Sequence, residues 1–373
     1  MHIVIAPDKF KGSLTAIEAA AAIHAGFSRI FPKATFDLLP LADGGEGILK
    51  AFSRGVSDAE NHTVTVKNAL GHEVCAEFIL SGKTAVIESS LANGLYLIPF
   101  AERNIGRANT FGVGQLILAA VAAGAEKILI GIGGSATNDA ALGLAAALGC
   151  VFLDANEEEI DPIPANIPRI ARIDSSSMLP LPPITVACDV ANPLLGDRGA
   201  TRVYAPQKGL LPEQADDAEA ALRHLADLAN AHFKTNFTET PGAEAAGGLG
   251  YGLMTFCKAN LESGFHCIAT ALGAEEKIAA ADLVVTAEGS LDAQTLEGKT
   301  PHGVSQLARK HGKPVYALAG RLADEELLFP HFDGIASLVN APMTLEEAIA
   351  NAPDLLEKAA ARLAHTIRSV KGC

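Results

Sequence analysis

Short apolar runs alternate with amphipathic stretches at both ends of this chain. HIVIAP, from His2 to Pro7, is a buried strand by pattern, and SLTAIEAAAAIHAGFSRIF follows it with helical periodicity. Ser13 is the expected N-cap of that helix, with Glu18 early in it. TFDLLPLA and GEGILKAFSR repeat the strand and the helix. From residue 282 the same style returns: DLVVTAEG as strand, PHGVSQLARKHG as helix, PVYALAG and GIASLVN as strands, and a last helix near 345–368. Runs of Val, Ile and Leu set between helices predict parallel strands covered on both faces.

The middle of the chain has a different texture. HTVTVKNALGHEVCAEFILSGKTAVIES alternates apolar and polar positions, with turns at Asn68–Gly71 and Ser81–Gly82, and predicts a three-stranded antiparallel meander. Helix, strand, glycine turn, helix and strand are expected between about 110 and 154. Residues 161–183 read as loop, ITVACDV as a buried strand, 212–234 as one amphipathic helix, and TPGAEAAGGLGYG as a flexible glycine-rich loop. The expected fold is therefore α/β. A doubly wound parallel sheet domain (residues 1–62 and 278–373) is interrupted by a second α/β domain (63–277) that contains the meander. No internal repeat is visible.

Composition narrows the function. With 373 residues, 49% of them hydrophobic, the chain is long enough for two cores and too apolar for long disorder. Its net charge of −14 repels nucleic acid and anionic membranes, so neither is an expected partner. The apolar run Phe111–Ala125 is too short to span a bilayer, and MHIVIAPDKFKG lacks the regions of a signal peptide. Six cysteines without a C-x-x-C spacing read as reduced, buried thiols in a cytoplasmic protein. A homodimer is compatible with the sequence.

Ligands of an open parallel sheet gather beyond the C-terminal ends of its strands. The candidates there are Asp8, Lys9 and Lys11 after the first strand, and Asp43, Gly44, Gly45, Glu46 and Gly47 after the second. Glu288, Gly289, Ser290 and Asp292 follow the third, and Gly320 and Arg321 the fourth. Asp189 and Asn192 follow ITVACDV in the middle domain.

Two short patterns compete with this reading. Gly131 to Ala136 fits G-x-G-x-x-A, and Asp154 lies near the spacing of a ribose-binding acid, so an NAD(P)-dependent oxidoreductase is one alternative. Against it, Asn138 and Asp139 fall at the expected helix start, where Asp139 repels a pyrophosphate unless a metal bridges them. AQTLEGKT, residues 293–300, mimics a phosphate-binding loop but has one glycine and an acid at Glu297. Thr300-Pro301 reads more simply as the N-cap and first residue of a helix. A non-catalytic binder of sugar acids is the other alternative.

IAPDKFKGSLTA, LADGGEG, GIGGSATNDAALG and TAEGSLDAQTLEGKTPHGV together resemble the bacterial glycerate kinase family, in the same order from residue 3 to about 340. The resemblance implies an ATP-dependent kinase acting on D-glycerate, with 2-phosphoglycerate the favoured product. It also implies a flavodoxin-like domain interrupted by a second α/β domain, with the active site in a cleft between them. ATP with Mg²⁺ and D-glycerate are then the expected small-molecule partners. On chemical grounds Lys9, Lys11 and Arg321 neutralise carboxylate and phosphate. Asp8, Asp43, Gly44, Gly45 and Glu46 are expected to bind substrate, the Asp43 and Glu46 pair through Mg²⁺ or hydroxyls. The turn of Gly133, Gly134, Ser135, Thr137 and Asn138 cradles phosphate or substrate. Asp292 or Asp189 is the expected base, while Glu288 and Asp139 are the expected metal ligands.

Overall fold

The computed structural model describes residues 1–41, 47–56 and 58–371. The chain divides into two compact units, one made of residues 1–43, 50–55 and 265–373, the other of 44–49 and 56–264. The first unit opens with β1 (His2–Ile5) and β2 (Thr35–Leu38). The second carries β3 (Ala59–Lys67), β4 (Glu73–Ser81), β5 (Thr84–Glu88), β6 (Lys127–Gly131), β7 (Val151–Leu153), β8 (Arg172–Asp174), β9 (Ile184–Ala187) and β10 (Asn260–Glu262). The chain completes the first unit with β11 (Leu283–Leu291), β12 (Val315–Leu322) and β13 (Gly334–Ser337).

In the first unit the sheet order is β13-β12-β11-β1-β2, and every pair is parallel. Counted within this sheet, that is the 2-1-3-4-5 order of a flavodoxin-like domain. Successive residues of the central strands are all buried, Ile3, Val4 and Ile5 beside Leu283, Val284 and Val285. Neither face reaches water, which is why these segments read as continuous apolar runs.

One face is covered by helices Ala16–Ile30 and Ala352–Lys371, whose Ile23, Phe27, Leu356 and Ala360 share a core with Ile3 and Val285. A Cβ at Gly26 would lie 2.4 Å from the Glu357 carbonyl oxygen, so glycine sets how closely the two helices approach. The first helix is capped by Thr15 rather than by Ser13. Thr15 and Glu18 form a reciprocal capping box, while the Ser13 hydroxyl donates to the Ile349 carbonyl. The three-residue spacing required by the box selects Thr15. The expected last helix is two, Leu345–Ala350 and Ala352–Lys371, with Pro353 in the opening turn of the second.

The second unit contains a six-stranded mixed sheet, β10-β9-β6-β5-β4-β3. β3, β4 and β5 form the antiparallel meander, and β5, β6, β9 and β10 run parallel. The stretch 161–183, expected as loop, contains the 3₁₀ turn Pro164–Arg169 and β8, which pairs with β7. The glycine-rich segment expected to be flexible is instead buried. After left-handed backbone at Ala246, Gly247 and Gly248 it continues as the main part of helix Ala245–Cys257, with Leu249, Tyr251 and Leu253 fully enclosed. Low helix propensity predicted a loop, and tertiary packing overrode it.

Candidate active site

Polar residues collect at strand ends in each unit. In the first unit, Asp8 follows β1 and accepts from the Lys9 amide (2.6 Å) and the Thr300 hydroxyl (2.7 Å). Thr300 opens helix Thr300–Lys310, and Lys299 is its N-cap. The capping position thus lies one residue before the Thr300 expected from the sequence. Glu288 lies within β11, buried, and accepts a short hydrogen bond from Thr295. Burial pushes its carboxyl up to about 7. Thr295 and Lys299 pull it back, while Asp8 and Asp292 raise it further.

Asp292 is the N-cap of the 3₁₀ turn Ala293–Glu297; it accepts from the Gln294 amide (3.0 Å) and the Ser290 hydroxyl (3.1 Å). β11 and β12 run further than expected. Glu288, Ser290 and Arg321 therefore sit inside strands, with Ser290 opposite Arg321. Lys9 is half-buried and Lys11 and Arg321 are exposed. A Cβ at Gly320 would approach the Gly289 carbonyl oxygen to 2.7 Å, so these neighbouring strands carry no side chain at that point. Asp43, Gly44, Gly45 and Glu46 lie outside the described residues.

In the second unit, β6 ends at Gly131 and the chain turns through Ile132 to Ala141 before helix Leu142–Ala147 begins. Only the start of this turn is open. Gly134 is exposed with φ +73°, Gly133 is half-buried, and Ser135, Thr137, Asn138 and Asp139 are buried. The Ala136 amide is committed to the Asn93 carbonyl (2.7 Å), and the Leu95 amide donates to the Gly134 carbonyl (2.8 Å). Asn93 donates to the Thr137 hydroxyl and Asn138 to the Thr201 hydroxyl, both at 3.2 Å.

Asp139 Oδ2 accepts from the Thr110 amide (2.8 Å), the Thr110 hydroxyl (2.8 Å) and the Gly143 amide (3.1 Å). Burial raises its carboxyl, against the pull of those bonds. Asp189, exposed after β9, accepts from the Gly264 amide (2.9 Å) and the Ser263 hydroxyl (3.2 Å).

The dinucleotide alternative finds no support here. The helix after G-x-G-x-x-A begins only at Leu142, and Asp154 follows β7, which pairs with β8 in a separate ribbon rather than beside β6. Asp154 accepts from the Asn156 and Glu158 amides of its own turn. Among the described residues, no three His, Cys, Asp or Glu side chains are grouped to hold a metal. No helix among them is long and apolar enough to cross a membrane.

Two residues escaped the sequence reading. Lys208 is buried, donating to the Ser135 hydroxyl (2.9 Å) and the Thr137 carbonyl (2.8 Å). Glu244 is fully enclosed, with the Asn192 backbone approaching its carboxylate. Burial lowers the lysine to about 8, opposed by Asp139 and then Glu244, and raises the glutamate to about 7, opposed by the Asn192 backbone and then Lys208. The available signal was a lone acid inside an otherwise apolar glycine–alanine run, and a lysine held between Pro206 and Gly209.

The fold and these strand-end clusters define a two-unit α/β protein of the flavodoxin-like class, carrying an inserted mixed-sheet unit. Residues 3–368 match the model of the glycerate kinase family, and the chain belongs to that family. It is 42% identical to the glycerate kinase of Bacillus subtilis (strain 168), over 100% of this chain and 99% of that one. It is 42% identical to the glycerate 2-kinase of Escherichia coli (strain K12), over 98% of each. A crystal structure from Salmonella typhimurium LT2, carrying a glycerate kinase 2 designation, covers 100% of both chains at 40% identity with a TM-score of 0.88.

Proposed function

We propose that this chain transfers the γ-phosphoryl group of ATP to the 2-hydroxyl of D-glycerate, releasing ADP and 2-phosphoglycerate. The observation that carries the reading is end-to-end similarity to glycerate kinases, the Escherichia coli glycerate 2-kinase among them. ATP enters as its Mg²⁺ complex. Mg²⁺ keeps several waters and needs only one or two carboxylates beside the phosphate oxygens, so the metal belongs with the substrate.

Phosphoryl transfer asks the protein mainly for positioning and charge stabilisation. Glu288 is the general base in this reading, because a carboxyl titrating near 7 matches its proton affinity to neutral pH. It takes the hydroxyl proton as the O2–Pγ bond forms and the bond from Pγ to the bridging oxygen of ADP breaks. Asp292 and Asp189 are both occupied in holding local backbone, which favours Glu288 over either. Lys9, Lys11, Lys299 and Arg321 supply cations for the glycerate carboxylate and the transferring phosphoryl group. Within the second unit, the open glycines Gly133 and Gly134 are assigned to an anionic group of a substrate. Asp139, with three donors on one oxygen, serves the turn rather than a metal.

An ATP-consuming enzyme of small acids with reduced thiols fits the cytoplasm. The test is ADP release that depends on D-glycerate, with phosphorus NMR of the product. One phosphomonoester on the 2-oxygen is expected. ADP release independent of glycerate, or none at all, would reject the function.

A further inference from the structure

The turn from Gly133 to Ala141 needs an explanation beyond its own bonds. Ala140 and Ala141 both adopt positive φ, 45° and 64°, a left-handed conformation that costs a residue with a Cβ about 1–2 kcal/mol each. Opposite them, Ala246, Gly247 and Gly248 are left-handed as well. The Ala140 amide donates to the Gly247 carbonyl (3.1 Å), and a Cβ on Gly247 would lie 1.9 Å from the Thr137 carbonyl oxygen. Such strain persists only where the surroundings over-determine it.

Lys208 grips the same segment from another side. Its two bonds reach Ser135 and Thr137, which bracket the point where the turn passes from open glycines to buried side chains. The lysine is itself held in place. The Arg103 guanidinium donates to the Gln207 carbonyl (2.8 Å), and Gly209, at φ +97°, ends the short turn that carries it. Glu244 supplies the opposite charge from the N-cap of the helix whose first residues press on Thr137.

We propose that Lys208 is a positioning residue of the reaction: through the Ser135 hydroxyl and the Thr137 carbonyl, with Asp139 and Glu244 as counter-charges, it fixes the Gly133–Ser135 backbone in the geometry that receives an anionic substrate group. Lys208 is 3% exposed, so it acts through the turn and not by touching the ligand. The buried ammonium also places positive charge beneath a turn whose Gly134 is exposed, where a carboxylate or phosphate is attracted. Glu244 keeps that charge from being an isolated one in the interior.

This inference rests on the kinase reading and on the turn as an anion cradle. The experiment is steady-state kinetics of Lys208→Met and Ser135→Ala, with KM measured separately for ATP and for D-glycerate, beside thermal unfolding. The expected result for Lys208→Met is a KM raised at least tenfold for one of the two anions and changed less than twofold for the other. Ser135→Ala should raise the same KM with a nearly unchanged melting temperature. Adding Lys208→Met to Ser135→Ala should then worsen that KM by less than the lysine change does alone.

Unchanged KM values in folded Lys208→Met overturn the proposal, as does a parallel loss for both substrates, which marks a merely structural role. If Lys208→Met does not fold, Ser135→Ala decides alone, and an unmoved pair of KM values overturns it. A wild-type chain without glycerate-dependent ADP release instead refutes the kinase reading.

Discussion

Glu288 and Glu244 are near twins in electrostatics, both buried, and differ in what surrounds them. Burial raises each carboxyl to about 7, and each faces a lysine, Lys299 or Lys208. Glu288 lies within β11, near Asp292 and Lys299, which are part-exposed, and its hydroxyl partner Thr295 sits on a short 3₁₀ turn. Glu244 is sealed at a helix start against the Asn192 backbone, and the lysine that attracts it is itself enclosed. The difference shows that burial can raise two acids alike while their neighbours differ, so a raised carboxyl by itself does not mark a base.

The strongest way to break this comparison is Glu288→Gln. It should lower kcat about 10²- to 10⁴-fold, the usual worth of a general base, with the fold retained. In the wild type, the base works deprotonated. The rate should therefore fall as pH drops through about 7 and level off above it. That acidic limb should survive in Glu244→Gln and vanish from the residual rate of Glu288→Gln.

Stability runs the other way. A carboxyl whose pKa is raised on folding binds its proton more tightly when folded, so its stabilisation is lost as pH rises from about 4.5 to about 7. At pH 8 Glu288→Gln should thus be more stable than wild type, by an amount on the order of 2–3 kcal/mol, read from the urea midpoint. A variant that is less stable and fully active would place Glu288 in the structural class with Glu244.

Gly247→Ala should come next in size. The added Cβ meets the Thr137 carbonyl oxygen on a residue at φ +74°, and about 3 kcal/mol of stability should be lost in denaturant unfolding. The smallest effect belongs to Asp292→Asn. Removing the charge of a cap that keeps its acceptor oxygen should cost tenfold or less in kcat, and about 1 kcal/mol at most in stability. A loss in Asp292→Asn as deep as that in Glu288→Gln would move the base to Asp292.

Much of the fold was legible because its signals are local. The apolar strands β1, β11 and β12, the meander of β3 to β5, and the order of helices all follow from periodicities of a few residues. The capping box of Thr15 and Glu18 was equally local, yet the eye fell on Ser13 two residues earlier. At the site, Asp8, Glu288 and Asp292 were legible from the rule that ligands lie beyond strand ends. Their division of labour was not, because it depends on which oxygen is already capping backbone.

What the sequence by itself determined is the family, the α/β alternation and the set of strand-end residues, since each is written in contiguous patterns. Only the tertiary structure decided that a glycine-rich stretch is a buried helix, that Asp139 is bound by the Thr110 amide and hydroxyl and by the Gly143 amide, and that Lys208 lies beneath Ser135 and Thr137. The physical reason is separation along the chain. Burial and partner geometry between residues some 30 to 110 positions apart leave no periodic trace, because desolvation and close packing depend on what the folded chain brings near.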